Sequence, residues 1–578
     1  MQITGAELFV KALKEEKVDT LFAYPGGQAI DLFNALYGEK DIDVILPRHE
    51  QALVHAADGY ARSTGKVGVC LVTSGPGATN LVTGIATANY DSVPLVCFTG
   101  QVATSLIGND AFQEVDIVGI TRSICKYAVT VRKREDLGTI IKKAFYIART
   151  GKPGVVVVDL PKDIQQKPGS DIYPEQIDIR GYKPNTSVHI GQIKKAVDLL
   201  NKAKKPVFLI GGGVNISHAA EEMTKLAELT GIPVITTIMG KGAVPTTHEL
   251  YVGNIGIHGS FAANSAISNC DVLFSIGTRF NDRITGKIEE FAKNATIIHI
   301  DIDSASISRN IAVDIPIVAD AKNAIEALLK KASPLKIDEW RAQIQEWKNK
   351  YPISMSGEGM TPQKIVGAVN RVFDNAVITT DVGQNQLWAT QYLDLDNKKQ
   401  MLTSGGLGTM GYGFPAAIGA KLGNPDKDVV VISGDGGMQM NIQEMATAVV
   451  YELPMTICIL NNGFLGNVRQ WQEMFFDRRY SCTCLRYRRS CDSACSTPGE
   501  ECPVYTPDFI KLAESYGAKG IRVTKEDEIE AALLEAKNSK KVPVVIEFII
   551  EREANVMPMV PPGNALSDMV LESGENEA

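Results

Sequence analysis

Residues 429–437 read VVVISGDGG. Four β-branched residues in a row, with no polar alternation, mark a strand buried on both faces of a parallel sheet, and the glycines after Ser433 turn the chain at its carboxyl end. Asp435 is thereby set at the sheet edge where open α/β folds bind their ligands. Residues 455–462, MTICILNN, repeat the arrangement and deliver Asn461 and Asn462 at the next edge, 462 − 435 = 27 positions after Asp435. Working outward, the same succession of short apolar run, glycine turn and helical stretch recurs along the chain. Runs at 67–73, 93–99 and 154–160 build a first unit, residues 1–165, opened by a capping box from Thr4 to Glu7. Runs at 206–210, 232–237, 271–276 and 296–301 build a second, residues 191–350, which closes in the helical KIDEWRAQIQEWKNKY of 336–351. Runs at 376–380, 428–433, 455–460 and 543–549 build a third, residues 362–550. Segments 166–190 and 352–362, rich in Pro, Gly and polar residues, read as linkers, and 551–578 as an acidic tail frayed at its end. The expected fold class is α/β, with three doubly wound parallel-sheet domains.

The chain has 578 residues with 59 Lys and Arg against 67 Asp and Glu, so its formal charge is 59 − 67 = −8. No basic tract is present to neutralise a phosphate backbone, which excludes nucleic acid as a partner. No apolar run reaches the ~20 residues of a membrane span, and the opening MQITGAELFVKALKEEK lacks the layout of a signal peptide. A cytoplasmic protein is expected. Of the 10 cysteines, Cys70, Cys97, Cys125, Cys270 and Cys458 are scattered in or beside apolar segments, whereas the other five crowd between Cys482 and Cys502. That is not the short, uniformly cysteine-dense layout of a secreted disulfide scaffold.

A GDG turn alone says little. Joined to NN at the next strand end it says much more, because two oxygen donors from adjacent edges suit Mg²⁺, which takes octahedral oxygen coordination and shares its sites with phosphate oxygens.

The GDG to NN pattern resembles the diphosphate and Mg²⁺ motif of thiamine-diphosphate enzymes. Beyond it, YPGG (24–27), RHEQALVHAADGYAR (48–62), SGPGATN (74–80), DAFQE (110–114), DLPKDIQ (159–165), RFNDRITG (279–286), DVGQNQLW (381–388), GGLGTMGYGFPAAIGA (405–420) and VRQWQ (468–472) make the chain similar to acetohydroxyacid (acetolactate) synthase catalytic subunits. These stretches span nearly all of residues 1–565.

The resemblance implies roles. Glu50 would hydrogen-bond the aminopyrimidine of thiamine diphosphate so that its exocyclic nitrogen becomes a base. Met410, beside Gly408, would hold the cofactor bent. Asp435, Asn462 and the carbonyl of Phe464 would hold Mg²⁺, and Gly26, Val382, Gly383, Gln384, Asn385, Gly436 and Gly437 would contact the cofactor. Gln113, Lys162 and Arg283 would surround the substrate channel, with Trp471 at the acceptor. In the second domain, the turn Gly211, Gly212, Gly213 and residues Lys152, Thr237, Ile238, Met239, His258, Arg279, Asp282, Asp301 and Asp320 would line FAD. In isolation Glu50 is as well read as a solvated helix residue, Met410 as core filler, the glycine turn as a plain α/β turn and His258 as a turn cap. Three positions depart from the family pattern: Lys152 stands for an arginine, Asn281 for an aspartate and Asn467 for a methionine.

Segment 481–505, SCTCLRYRRSCDSACSTPGEECPVY, looks like an insertion relative to that pattern. Its cysteine spacing fits no standard zinc knuckle, leaving a metal site, a redox disulfide and free surface thiols open. The activity implied is decarboxylation of pyruvate and transfer of its hydroxyethyl unit to a second 2-ketoacid. Pyruvate gives 2-acetolactate and 2-ketobutyrate gives 2-aceto-2-hydroxybutyrate, for branched-chain amino-acid biosynthesis. The resemblance also implies a homodimer or tetramer, with the cofactor between the first domain of one subunit and the third of its mate, and a small regulatory subunit. The alternatives are a pyruvate oxidase-like flavin enzyme and a catalytically inactive homologue serving as partner or scaffold.

Overall fold

A computed structural model describes residues 2–184, 187–353, 357–492, 494–497, 502 and 506–571. Three parallel sheets of six strands each carry the architecture. In the first the spatial order is Asp43–Ile45, Thr20–Ala23, Gly68–Val72, Leu95–Gln101, Val155–Pro161, Tyr127–Thr130. The second runs Tyr251–Asn254, Val234–Thr236, Pro206–Ile210, Val272–Ile276, Thr296–Asp301, Ile315–Val318. The third runs Gln400–Leu402, Ala376–Thr380, Asp428–Gly434, Thr456–Asn461, Val544–Ile549, Lys519–Val523. The chain is thus an α/β protein of three doubly wound units, helices covering both faces of each sheet. The central strands are mostly apolar because both faces are covered, and such strands as Val272–Ile276 and Ala376–Thr380 are buried at every position. The expected capping box forms: Thr4 Oγ1 accepts from the Glu7 amide at 3.2 Å and Glu7 Oε2 accepts from the Thr4 amide at 2.7 Å, opening helix Gly5–Glu15.

Segment 166–190 is laid on the first domain. Gly169–Ser170 pairs antiparallel with Gln2–Ile3, Tyr173 Oη donates to Glu16 at 3.0 Å, and Lys126 Nζ donates to Tyr182 Oη at 2.7 Å. The tail is packed at least to residue 571: Val556 and Met559 are fully buried, Met559 pairs with Val570, and the Val560 amide donates to the Ile257 carbonyl at 2.7 Å. Its expected frayed end, 572–578, lies outside the described residues.

First and third domains meet through two helices, Glu50–Thr64 and Gly413–Gly423. Glycine makes the approach possible, since a Cβ on Gly59 would stand 2.0 Å from the Ala416 carbonyl oxygen and one on Gly419 would stand 1.8 Å from that of Ala56. Buried polar contacts flank this seam: Tyr412 Oη donates to Asp58 Oδ1 at 2.6 Å, and the hydroxyls of Thr87 and Thr409 lie 2.7 Å apart. The turn that carries Met410 is thereby tied to the first domain.

Candidate active site

Strand Asp428–Gly434 ends at Gly434, and Asp435 opens the short helix Asp435–Met438. Asp435 is buried, its Oδ2 has no hydrogen-bond partner, and burial raises its carboxyl to about 7 despite the backbone N–H groups of Asp435, Gly463 and Asn462. On the adjacent strand the two asparagines divide their work. Asn461 turns into the sheet, donating to Glu547 at 2.7 Å and accepting from the Gly463 amide at 3.1 Å. Asn462 turns to the site, where Oδ1 accepts from the Phe464 amide at 3.0 Å and Nδ2 donates to Gln384 Oε1 at 3.3 Å. An unpaired buried carboxylate oxygen next to the Asn462–Gly463 backbone, with the Asn462 amide oxygen and the Phe464 carbonyl as further oxygen donors of the same loop, is chemistry that fits Mg²⁺.

Met410 faces the same place, its Cε 3.7 Å from where a Cβ on Gly436 would stand. Gly408 and Gly411, at φ of 75° and 88°, bend the chain on either side of it, a backbone that glycine adopts without strain. Asp381, which sequence reading passed over, organises this turn. It is buried and accepts from the amides of Val382 (2.8 Å), Gly411 (3.0 Å) and Gly413 (3.1 Å), and burial raises its carboxyl to about 6. Its only sequence signal is an acidic residue ending the buried strand AVITT. Gln384 and Asn385 are held inside the protein: Gln384 Nε2 donates to Gln470 at 2.9 Å, and Asn385 Nδ2 donates to the carbonyls of Asp381 and Ile432 at 2.8 and 3.0 Å.

In the first domain the expected residues gather. Glu50 heads helix Glu50–Thr64, its Oε2 accepting from Asn80 Nδ2 at 2.9 Å and its Oε1 lying beside Gly77. Thr73 links Gly77 to Gly26, and Lys162 Nζ donates to the neighbouring Gly27 carbonyl at 2.9 Å. Gln113, at φ 60°, packs on Gly75. Asn80, the last residue of SGPGATN, is a second residue whose role the sequence did not disclose.

A cavity of about 1080 Å³ opens between all three domains. It is lined by Lys152, Gly212, Gly213, Thr237, Ile238, Met239, Arg279, Arg283, Asp301 and Asp320 of the expected set, together with Asn281. Tyr90 and Asp91 close it from the first domain and Gly405 and Gly406 from the third, with Arg279 over the Tyr90 ring at 5.8 Å. Burial raises the Asp301 carboxyl to about 6. Lys152 Nζ stands 3.3 Å from Asp303, and Asp320 caps helix Ala321–Leu329 through the Asn323 amide at 3.1 Å. Three expected residues stand off the lining. Gly211 is pressed against Gly277, Asp282 points outward, and His258 faces the backbone of Pro558 and Val556, with burial pushing its ring down to about 4.

Arg283 and Trp471 are brought together, the guanidinium 5.7 Å from the indole centroid. Trp471 sits on helix Gly466–Phe475 with its Nε1 buried and without a partner, as is Asn467 Oδ1 on the same helix. The start of segment 481–505 is part of this neighbourhood. The Leu465 amide donates to the Thr483 carbonyl at 2.9 Å and the Leu485 amide to the Gly463 carbonyl at 2.8 Å. No disulfide joins its cysteines and, among the described residues, no three His, Cys, Asp or Glu side chains are gathered as metal ligands. Residues 493, 498–501 and 503–505 of the segment lie outside the described residues.

Profiles of the N-terminal TPP binding domain, the central domain and the C-terminal TPP binding domain of thiamine pyrophosphate enzymes match residues 3–120, 193–328 and 381–548. The chain is 48% identical to the probable acetolactate synthase large subunit of Methanocaldococcus jannaschii, over 98% of this chain and 95% of that one. It is 44% identical to the acetolactate synthase large subunit of Haemophilus influenzae, over 100% and 99% of the two chains. To the acetolactate synthase isozyme 3 large subunit of Escherichia coli it is 43% identical over 99% of both. Three domain profiles that fall on the three sheets, and identities of this size over whole chains, make one assignment: the chain belongs to the acetolactate synthase large-subunit family of thiamine pyrophosphate enzymes.

Proposed function

We infer that the protein is the catalytic subunit of an acetolactate synthase, taking pyruvate as donor and pyruvate or 2-ketobutyrate as acceptor in branched-chain amino-acid synthesis. The observation that carries this reading is the buried, half-unpartnered Asp435 carboxylate at the edge of the third sheet, facing Asn462 and the Phe464 loop. Such a group costs several kcal/mol to bury ionised, a cost that a bound cation would offset. Asp435, Asn462 and the Phe464 carbonyl are the residues that would hold Mg²⁺. Thiamine diphosphate, when bound, supplies the electron sink that decarboxylation of a 2-ketoacid requires.

This chain's residues do the rest. Asn80 fixes Glu50 Oε2 as an acceptor, which leaves Oε1 as the atom that gives and takes a proton. Asp381 holds the Met410 turn, and with it the shape of the space in front of Gly436. The Arg283 guanidinium suits a substrate carboxylate, and the Trp471 ring offers the acceptor's alkyl group a wall. Exposed Phe112 and Leu106 near the Glu50 group, and Leu407 and Met440 near the Met410 turn, give both halves of the site an apolar rim. That supports a homodimer in which copies pair across these rims. A small regulatory subunit and a cytoplasmic location belong to the same reading.

The three-domain cavity fits FAD in size and in donors. Its buried Asp301 carboxyl suits a ribose hydroxyl, and Arg279 and Lys152 suit a diphosphate. The test assays the purified protein with pyruvate alone and with added 2-ketobutyrate, measuring both products, oxygen uptake and the visible spectrum. Acetolactate and acetohydroxybutyrate from a yellow protein without stoichiometric oxygen uptake are expected. Oxygen consumed at the rate of pyruvate loss would replace the reading with an oxidase, and no turnover of pyruvate would leave a partner or scaffold.

A further inference from the structure

Arg486 and Arg552 are two cations that make no ion pair among the described residues. Arg486 lies flat on Gly463, its Nε 2.8 Å from where a Cβ on that glycine would stand, and Arg552 stacks over the next residue, Phe464, at 4.8 Å from the ring centroid. Both therefore sit on the loop that follows Asn462. Arg486 Nε, Arg552 Nε and Arg552 Nη1 are buried without hydrogen-bond partners; Arg552 Nη2 reaches only the Cys484 thiol, at 3.6 Å. Two carboxylates of this neighbourhood, Glu553 and Glu473, are already engaged. Glu553 accepts from Arg478 at 2.6 Å and from Tyr480, and Glu473 pairs with Arg469 and Arg478. Among the described residues neither Arg486 nor Arg552 makes an ion pair, and the two guanidiniums repel each other. Asp435 is a carboxylate in electrostatic reach of Arg486. Two like charges left together, with three buried N–H groups idle, are costly unless an anion joins them.

We propose that Arg486 and Arg552 form a phosphoryl-binding pair, supplied half by segment 481–505 and half by the chain after strand Val544–Ile549. A phosphoryl group fits the observations better than a carboxylate. Three idle donors on two guanidiniums outnumber the two oxygens of a carboxylate, and planar forks of this kind bind phosphate. The position favours the terminal phosphate of thiamine diphosphate, because Arg486 lies on Gly463 in electrostatic reach of Asp435 and Arg552 lies over Phe464; Leu485, next to Arg486, has its Cδ1 3.4 Å from where a Cβ on Gly436 would stand. This source rests on the cofactor reading above. Free phosphate offers the same chemistry and is the other source.

Binding of thiamine diphosphate, thiamine, inorganic phosphate and pyrophosphate is measured by tryptophan fluorescence on the full chain with Mg²⁺. The proteins are wild type, Arg486→Gln, Arg552→Gln, the double variant and Arg486→Lys. Each single Gln variant is expected to raise the thiamine diphosphate Kd roughly tenfold, the double variant further, with Lys intermediate and thiamine binding unchanged. Unchanged thiamine binding and far-ultraviolet dichroism certify folding. If phosphate binds the cofactor-loaded wild type and is lost in the double variant while the thiamine diphosphate Kd holds, the pair binds a free anion. Equal affinity for every phosphate ligand in wild type and double variant overturns the proposal. A wild type that binds pyrophosphate through the pair but no thiamine diphosphate refutes the cofactor reading alone.

Discussion

Replacing Gly419 by alanine sets a local preference against a tertiary contact. In the middle of helix Gly413–Gly423 alanine is favoured over glycine by ~1 kcal/mol. The new Cβ, however, would stand 1.8 Å from the Ala56 carbonyl oxygen and 2.8 Å from the Tyr60 nitrogen. Bringing the first distance to 3.0 Å needs the helices to part by 3.0 − 1.8 = 1.2 Å. The flanking hydrogen bonds tolerate no such movement. Tyr412 to Asp58 at 2.6 Å and Thr87 to Thr409 at 2.7 Å would open to about 3.8–3.9 Å, outside hydrogen-bond range. Asp58 is fully buried, so an unmet partner there costs about 1–3 kcal/mol, and overpacking adds a similar sum. The contact outweighs the propensity, and a net loss of about 3 kcal/mol is expected. Because Thr409 precedes Met410, the cofactor should feel the change as well. Thermal unfolding should show the first transition lowered by several degrees, and titration should show weaker thiamine diphosphate binding. A midpoint equal to or above wild type, with unchanged cofactor affinity, would refute the close helix seam.

Glu50→Gln should bind cofactor normally yet lose on the order of a hundredfold or more in acetolactate formation, because the amide keeps the Asn80 contact but has no proton to exchange at Oε1; near-wild-type turnover would remove Glu50 from the chemistry. Trp471→Leu should cut the acetohydroxybutyrate share when pyruvate and 2-ketobutyrate compete, by roughly tenfold for one methylene's contact, and an unaltered product ratio would count against the aromatic wall. Asp159 is buried under Thr99, Gln101 and Thr130, and burial raises its carboxyl to about 6 from the unfolded 3.8. Its contribution to stability is therefore complete below the unfolded pKa and lost as pH rises through about 6. From pH 4 to 7 wild type should lose up to about 3 kcal/mol that Asp159→Asn does not, so the variant's thermal midpoint should gain on wild type over that window; parallel pH profiles would contradict this.

The strands found by reading are the ones with both faces covered. Val272–Ile276, Ala376–Thr380 and Thr456–Asn461 are buried throughout and announce themselves as apolar runs. All six edge strands went unread. Tyr127–Thr130 is half-buried at every position and Lys519–Val523 carries Lys519 and Arg522 outward, so neither shows a hydrophobic run or a clean alternation. In the site, Asp435 and Asn462 were legible because chemistry demands oxygen donors at strand ends. Asp381 was not, because its work is to accept backbone N–H groups that only the folded turn of Gly411 and Gly413 presents. The separation of Asn461 from Asn462 likewise depends on Glu547, a residue 86 positions away in sequence that the sheet brings alongside. Segment 481–505 reads as a detached insertion by composition, yet its backbone pairs at Thr483 and Leu485 with the loop after Asn462, a register that no pattern in its residues encodes.

Asp435, Asn462 and the Phe464 carbonyl are proposed to hold a metal without which thiamine diphosphate would not act here. Purified protein is stripped with a chelator, passed through a desalting column and given pyruvate with Mg²⁺ alone, thiamine diphosphate alone, or both. Acetolactate should form only when both are returned, and Asp435→Asn should need a much higher Mg²⁺ concentration for the same rate. Acetolactate formed by the stripped protein, or none formed when both are restored, would contradict the account.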